Sequence, residues 1–81
     1  MTTVELLGKA DCCLCDDAKA VLERVRARIP FELVVVDIAA DESLLARYGE
    51  EIPVLLIDGR KAFKYRIDEN ELVRRLTRNA S

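Results

Sequence analysis

The chain has 81 residues, 51% of them hydrophobic and 35% charged, with a formal net charge of −2 and no histidine. That length bounds one domain, residues 1–81, which on folding buries only roughly 60% of its unfolded surface. The charge balance argues against a nucleic-acid partner, and the missing imidazole removes Ser-His-Asp and Cys-His nucleophile schemes and metal sites that rely on histidine.

Met1-Thr2-Thr3 has no basic region, and the apolar run after it stops at Gly8 and Lys9, so no signal peptide is expected. No run approaches the ~18 apolar residues of a membrane span. Clustered cysteines are unlike the spread pairs of a secreted disulfide framework. The expected setting is a reducing, cytoplasmic compartment without membrane contact, and the expected state is a monomer.

Val4 to Leu7 reads as a first strand, short and largely apolar. From Cys12 to about Arg28 the period changes: Leu14, Ala18, Val21, Leu22, Val25 and Ile29 fall on one helical stripe. Lys19, Glu23, Arg24, Arg26 and Arg28 lie off it and read as a solvated face. Pro30 ends the helix, because the residue before a proline is pushed away from α geometry. Phe31 to Val36 reads as a second strand, and its run Leu33-Val34-Val35-Val36 suits a sheet covered on both faces. Asp41 is the expected N-cap of a short helix carrying Leu44, Leu45 and Tyr48, which Gly49 closes.

Ile52-Pro53 leads into a third strand, Val54 to Ile57. Asp58-Gly59 is a hairpin signal, so Lys61 to Tyr65 should return antiparallel, its cations guarding an exposed edge. Asp68-Glu69-Asn70-Glu71 has the form of a capping box. The helix it opens turns Leu72, Val73 and Leu76 inward and carries Arg74, Arg75 and Arg78 near the end where cations offset the dipole. The expected order is βαβαββα, an α/β fold with a four-stranded mixed sheet covered by helices on both faces.

All three cysteines fall within Cys12-Cys13-Leu14-Cys15, where the first strand gives way to the first helix. Three in four positions at a helix start are hard to explain by packing, and Cys12 with Cys15 form a C-x-x-C pair that reads as a redox motif. Cys13 reads as a bystander and Leu14 as core-facing. Lys9 and the pair Glu50-Glu51, read alone, are ordinary solvated charges.

This order, with C-x-x-C at the first strand-to-helix turn and Ile52-Pro53 before the third strand, resembles the glutaredoxin branch of the thioredoxin fold. The segment Cys12-Cys13-Leu14-Cys15-Asp16 and the later Arg47-Tyr48-Gly49-Glu50-Glu51-Ile52-Pro53-Val54-Leu55 resemble a small bacterial glutaredoxin-like group with a C-x-L-C motif. The resemblance implies a disulfide oxidoreductase in which Cys12 is the nucleophile and Cys15 the resolving thiol. It implies further that Pro53 is a cis proline facing them, with the Ile52 backbone offered to a substrate strand. Lys9 resembles a basic residue that glutaredoxins place near glutathione, which is thereby a candidate co-substrate; no cofactor is required and no metal is assigned. The chain departs from the family in having Cys-Cys-Leu-Cys for Cys-Pro-Tyr-Cys, and Tyr65-Arg66-Ile67-Asp68 where glutaredoxins carry paired glycines. Both departures bear on glutathione recognition.

A cysteine in the first turn of a helix meets unsatisfied amide donors and the positive end of the dipole, worth about 0.3–1 kcal/mol to a thiolate. Lys9 adds to that effect and Asp11, Asp16 and Asp17 oppose it. One carboxylate at about 7 Å costs roughly 0.6–2.4 kcal/mol for effective dielectrics of 80 to 20. The terms are comparable, so the Cys12 thiolate is expected to be only modestly favoured. Two other function classes use the same residues: a metal or iron–sulfur carrier built on the cysteine cluster, and a redox-inactive thioredoxin-fold interaction module.

Overall fold

The computed structural model describes residues 2–9 and 13–80, without the side chains of Cys13 and Ala80. The elements run β1 (Thr3–Gly8), α1 (Cys13–Arg28), β2 (Glu32–Asp37), a single 3₁₀ turn (Ile38–Ala40), α2 (Glu42–Tyr48), β3 (Val54–Ile57), β4 (Arg60–Lys64) and α3 (Glu69–Ala80). One four-stranded sheet has the order β2-β1-β3-β4. β1 is parallel to β2 and antiparallel to β3, and β3 is antiparallel to β4. The mixed sheet and the βαβαββα order are those expected.

The main core lies between one sheet face and the helices α1 and α3. It joins Val4 and Leu6 of β1, Leu55 of β3, Ala18, Leu22 and Val25 of α1, and Leu72 and Leu76 of α3, with Phe31 closing one end. The inward stripe of α1 is Cys15, Ala18, Leu22 and Val25, all buried, at spacings of three and four that keep one helix face on the sheet. Leu14 is a correction. It sits one residue off that stripe and is 38% exposed, so Cys15 takes the inward position expected of the leucine.

The opposite face carries a smaller cluster, Leu7, Ile38 and Val54, with Val36, Leu44 and Tyr48 packed against it. In the next row, where Glu5 lies between Val34 and Leu56, Leu56 still packs on this cluster but Val34 on the edge strand is exposed. The second face is thus only partly covered. The reading of β2 as a strand buried on both sides is corrected with it: β2 is an edge strand, with Val34 and Val35 40% and 52% exposed. A continuous apolar run does not distinguish a central strand from an edge one.

The local signals are largely met, with only the Asp68 half of the expected capping box formed. Asp41 caps α2 by accepting from the N–H groups of Ser43 (2.9 Å) and Leu44 (3.3 Å). Asp68 accepts from the Glu71 N–H at 3.1 Å, while the Glu71 carboxylate pairs forward with Arg74 (2.7 Å) and Arg75 (3.4 Å). Asp58 and Gly59 both have positive φ, 50° and 83°, the requirement of the two-residue type I′ turn. The return strand starts one residue earlier than expected and is irregular, since Leu55 pairs Phe63 but Leu56 pairs Lys61, leaving Ala62 as a bulge. Asp58 also ties the hairpin down: its carboxylate accepts from the Thr3 N–H (2.9 Å) and from Asn79 Nδ2 (2.8 Å). Those two hydrogen bonds hold its carboxyl below the usual aspartate range, the Thr3 amide contributing most.

Leu22 is fully buried at the contact of α1 with the sheet. Leu22→Ala should lower the unfolding free energy by about 2–5 kcal/mol in urea titration. Val35→Ala, on the exposed edge, should cost no more than about 1 kcal/mol.

Candidate functional site

β1 ends at Gly8 where α1 is about to begin, and β3 starts at Val54, which pairs with Leu7. The register therefore brings Gly8, the first turn of α1 and the Ile52-Pro53 segment to one end of the sheet. That end lies beyond the carboxyl termini of the two parallel strands, the place where open α/β sheets gather their functional groups.

Cys15, in the first turn of α1, is 2% exposed. It forms the floor of a cleft of about 170 Å³ between α1 and the edge strand, walled by Leu6, Gly8 and Val35 and rimmed by Lys9, Lys19 and Asp37. Lys9 and Cys15 are thus brought to one cleft. Lys19, which the sequence pattern placed on a solvated face, belongs to the same rim. Asp11 and Cys12, with the side chain of Cys13, lie outside the described residues, so the expected nucleophile is not placed.

The Ile52–Pro53 peptide is cis. Pro53 is buried, and Ile52 packs on the Leu7–Val54 cluster of the second face. The Tyr65 N–H holds the segment by donating to the carbonyl oxygens of Pro53 (2.9 Å) and Glu51 (3.2 Å). Tyr65 itself has φ 67°, a left-handed conformation uncommon for a bulky residue, and the strand ends there rather than running through it. Tyr65 is 46% exposed. With Leu14, Asp17 and Arg66 it lines a second groove, of about 330 Å³, on the other side of α1 from the Lys9–Cys15 cleft. Tyr65 is the site-shaping residue that the sequence reading missed. Its lone signal is position, immediately after the returning strand, because no pattern of hydrophobicity marks a tyrosine with positive φ.

Glu51 is a partly exposed loop charge, as expected, but it is held by partners. Its carboxylate accepts from Lys61 Nζ at 3.0 and 3.2 Å and faces Lys64 at 3.7 Å, while its backbone carbonyl accepts from Tyr65. It braces the segment before the cis peptide against β4. Glu50 is exposed. No helix among the described residues is long and apolar enough to cross a membrane.

The model of the Glutaredoxin-like domain (DUF836) family matches residues 3–77. The chain belongs to this family. Among curated proteins it is similar to an uncharacterized protein of Mycobacterium tuberculosis, 30% identical over 74 residues that cover 85% of this chain and 76% of the relative. Among solved structures it is similar to a protein from X. campestris, with TM-score 0.77 and 30% identity over 96% of this chain and 97% of that one. A second is the protein Ne2328 from Nitrosomonas europaea, with TM-score 0.78 and 26% identity over 88% and 86%. A mutant thioredoxin from Halobacterium salinarum superposes with TM-score 0.75 at 18% identity, over 99% of this chain and 75% of that one, which shows the shared thioredoxin fold.

The Lys61 hydrogen bond, with the charge of Lys64 behind it, holds the Glu51 carboxyl below its ordinary value of 4.5. A carboxylate with a depressed folded value contributes stability above its unfolded value and loses it as pH falls through the folded one. Thermal midpoints of wild type and Glu51→Gln should therefore differ fully near neutral pH and converge on acidification below 4.5. Added salt should shrink the neutral-pH difference, since the pair is partly exposed.

Proposed function

We propose that the chain is a thiol–disulfide oxidoreductase that reduces a protein or low-molecular-weight disulfide by dithiol exchange. The observation that carries this reading is the position of Cys15. A buried thiol-bearing residue in the first turn of α1 shares one end of the sheet with the cis Ile52–Pro53 segment, within a glutaredoxin-like domain.

In this reading the Cys12 thiolate attacks one sulfur of the substrate disulfide. A bond forms between Cys12 and that sulfur, the substrate S–S bond breaks, and the departing thiolate takes a proton from solvent. Cys15, after giving its proton to solvent, attacks the Cys12 sulfur. The Cys12–Cys15 disulfide forms, the second substrate thiolate leaves, and two electrons have passed from protein to substrate. The Ile52 backbone, set by Pro53, offers its polar groups to an extended substrate segment. The Lys9 ammonium attracts an anionic substrate group, which makes glutathione a candidate co-substrate. The protein works as a monomer in the cytoplasm, needs no resident cofactor, and acts without nucleic acid or membrane.

Two variants test the scheme with a model peptide disulfide and an acid-quenched mass readout. Cys15→Ser should accumulate a mixed disulfide on Cys12 that outlives the wild-type intermediate at least tenfold. Cys12→Ser should form none and lose turnover. Equal turnover in wild type and Cys12→Ser, or metal bound stoichiometrically by the cysteines of the purified protein, would count against it.

A further inference from the structure

We propose that Gly8 is a positioning residue for Cys15, its absent side chain being the space in which the resolving sulfur sits. The inference rests on the dithiol reading above. A Cβ built on Gly8 would lie 2.6 Å from Cys15 Sγ and 3.3 Å from Cys15 Cβ, whereas ordinary contact begins near 3.4 Å. The sulfur therefore occupies the volume that any other residue at position 8 would fill.

Conformation does not account for the glycine. Gly8 is the last residue of β1, paired in register with Asp37 of β2. Its φ lies outside the left-handed range, which among the three glycines only Gly59 adopts. What the position requires is space, and the space is taken by Cys15, its sulfur first and its Cβ behind it.

A methyl group there would have to be accommodated by the backbone or by the sulfur. The backbone is held by the ladder to β2, and one residue earlier Leu7 is paired on both sides, with Val36 and with Val54. Cys15 has a single side-chain torsion, and its sulfur lies against Gly8 beside the cleft lined by Leu6 and Val35. The sulfur is the part that yields, retreating by most of an ångström through rotation about Cα–Cβ. Nucleophilic attack requires the entering atom in line with the bond it breaks, and a misplacement of about 1 Å costs on the order of 10²-fold in rate. Gly8 thus governs the second step of the exchange, in which Cys15 attacks the Cys12 sulfur and expels the substrate thiolate. The first step belongs to Cys12 and the substrate.

The test is Gly8→Ala in the full chain, followed with a model peptide disulfide by acid quench and mass measurement. The mixed disulfide on Cys12 should form at the wild-type rate and decay roughly 10- to 100-fold more slowly. A purely structural role would lower stability without separating the two steps. The contact is checked by combining Gly8→Ala with Cys15→Ala, which removes the sulfur. The loss in denaturation midpoint caused by Gly8→Ala should shrink in that background. If Gly8→Ala fails to fold alone but folds with Cys15→Ala, the contact is established; if both fail, the role is one of backbone and the proposal is wrong. A folded Gly8→Ala that resolves its mixed disulfide at the wild-type rate also overturns it. Failure of the underlying reading looks different, because neither wild type nor Cys15→Ser would then yield a mixed disulfide at all.

Discussion

The packing of α1 on the centre of the sheet is the contact on which the other features depend. Leu22 and Val25 are fully buried against Val4, Leu6 and Leu55, each worth about 1.5–3 kcal/mol by removal from water. α3 adds Leu72 and Leu76 to the same core, and an Arg24–Glu69 pair at 2.9 Å links the two helices at the surface. With α1 fixed along β1, the helix start must fall just past Gly8. Cys15 follows the same stripe inward, so the burial that holds the helix also fixes the sulfur.

The other half of the site is held by hydrogen bonds instead of apolar burial. The Tyr65 N–H spans the Pro53 and Glu51 carbonyls, and the Glu51 carboxylate is bound in turn by Lys61 and Lys64. The hairpin bearing those lysines is pinned through Asp58 to Thr3 and to Asn79 near the end of α3. The two ends of the hairpin thus register the segment before β3 against β1. The division is physically sensible: the apolar core sets where α1 and its Cys15 lie, and the polar braces set where the Ile52–Pro53 segment lies. The second depends the more on salt and pH.

Much of this was legible in the chain because it rests on local chemistry. Asp58-Gly59 declared its turn, since both positions need positive φ and these residues tolerate it. Asp41 and Asp68 declared their helix starts through side chains that accept backbone N–H groups. What escaped the sequence reading is non-local. Nothing in Leu33-Val34-Val35-Val36 says that β2 lies at the sheet edge with Val34 and Val35 exposed. Leu14 and Cys15 compete for one inward position, and hydropathy favours the leucine where geometry favours the cysteine. The Tyr65 N–H finds its partners in a segment more than ten residues earlier, and Gly8 is constrained by a sulfur seven positions later that faces it only in the folded chain.

The midpoint potential of the Cys12–Cys15 couple tests the central claim most directly. Metal-free protein is equilibrated across glutathione buffers, and intramolecular disulfide is counted by thiol labelling and mass. The account predicts one reversible two-electron transition within about 50 mV of the −200 to −270 mV spanned by glutaredoxins and thioredoxin. Failure of the two sulfurs to join at any poise would contradict it.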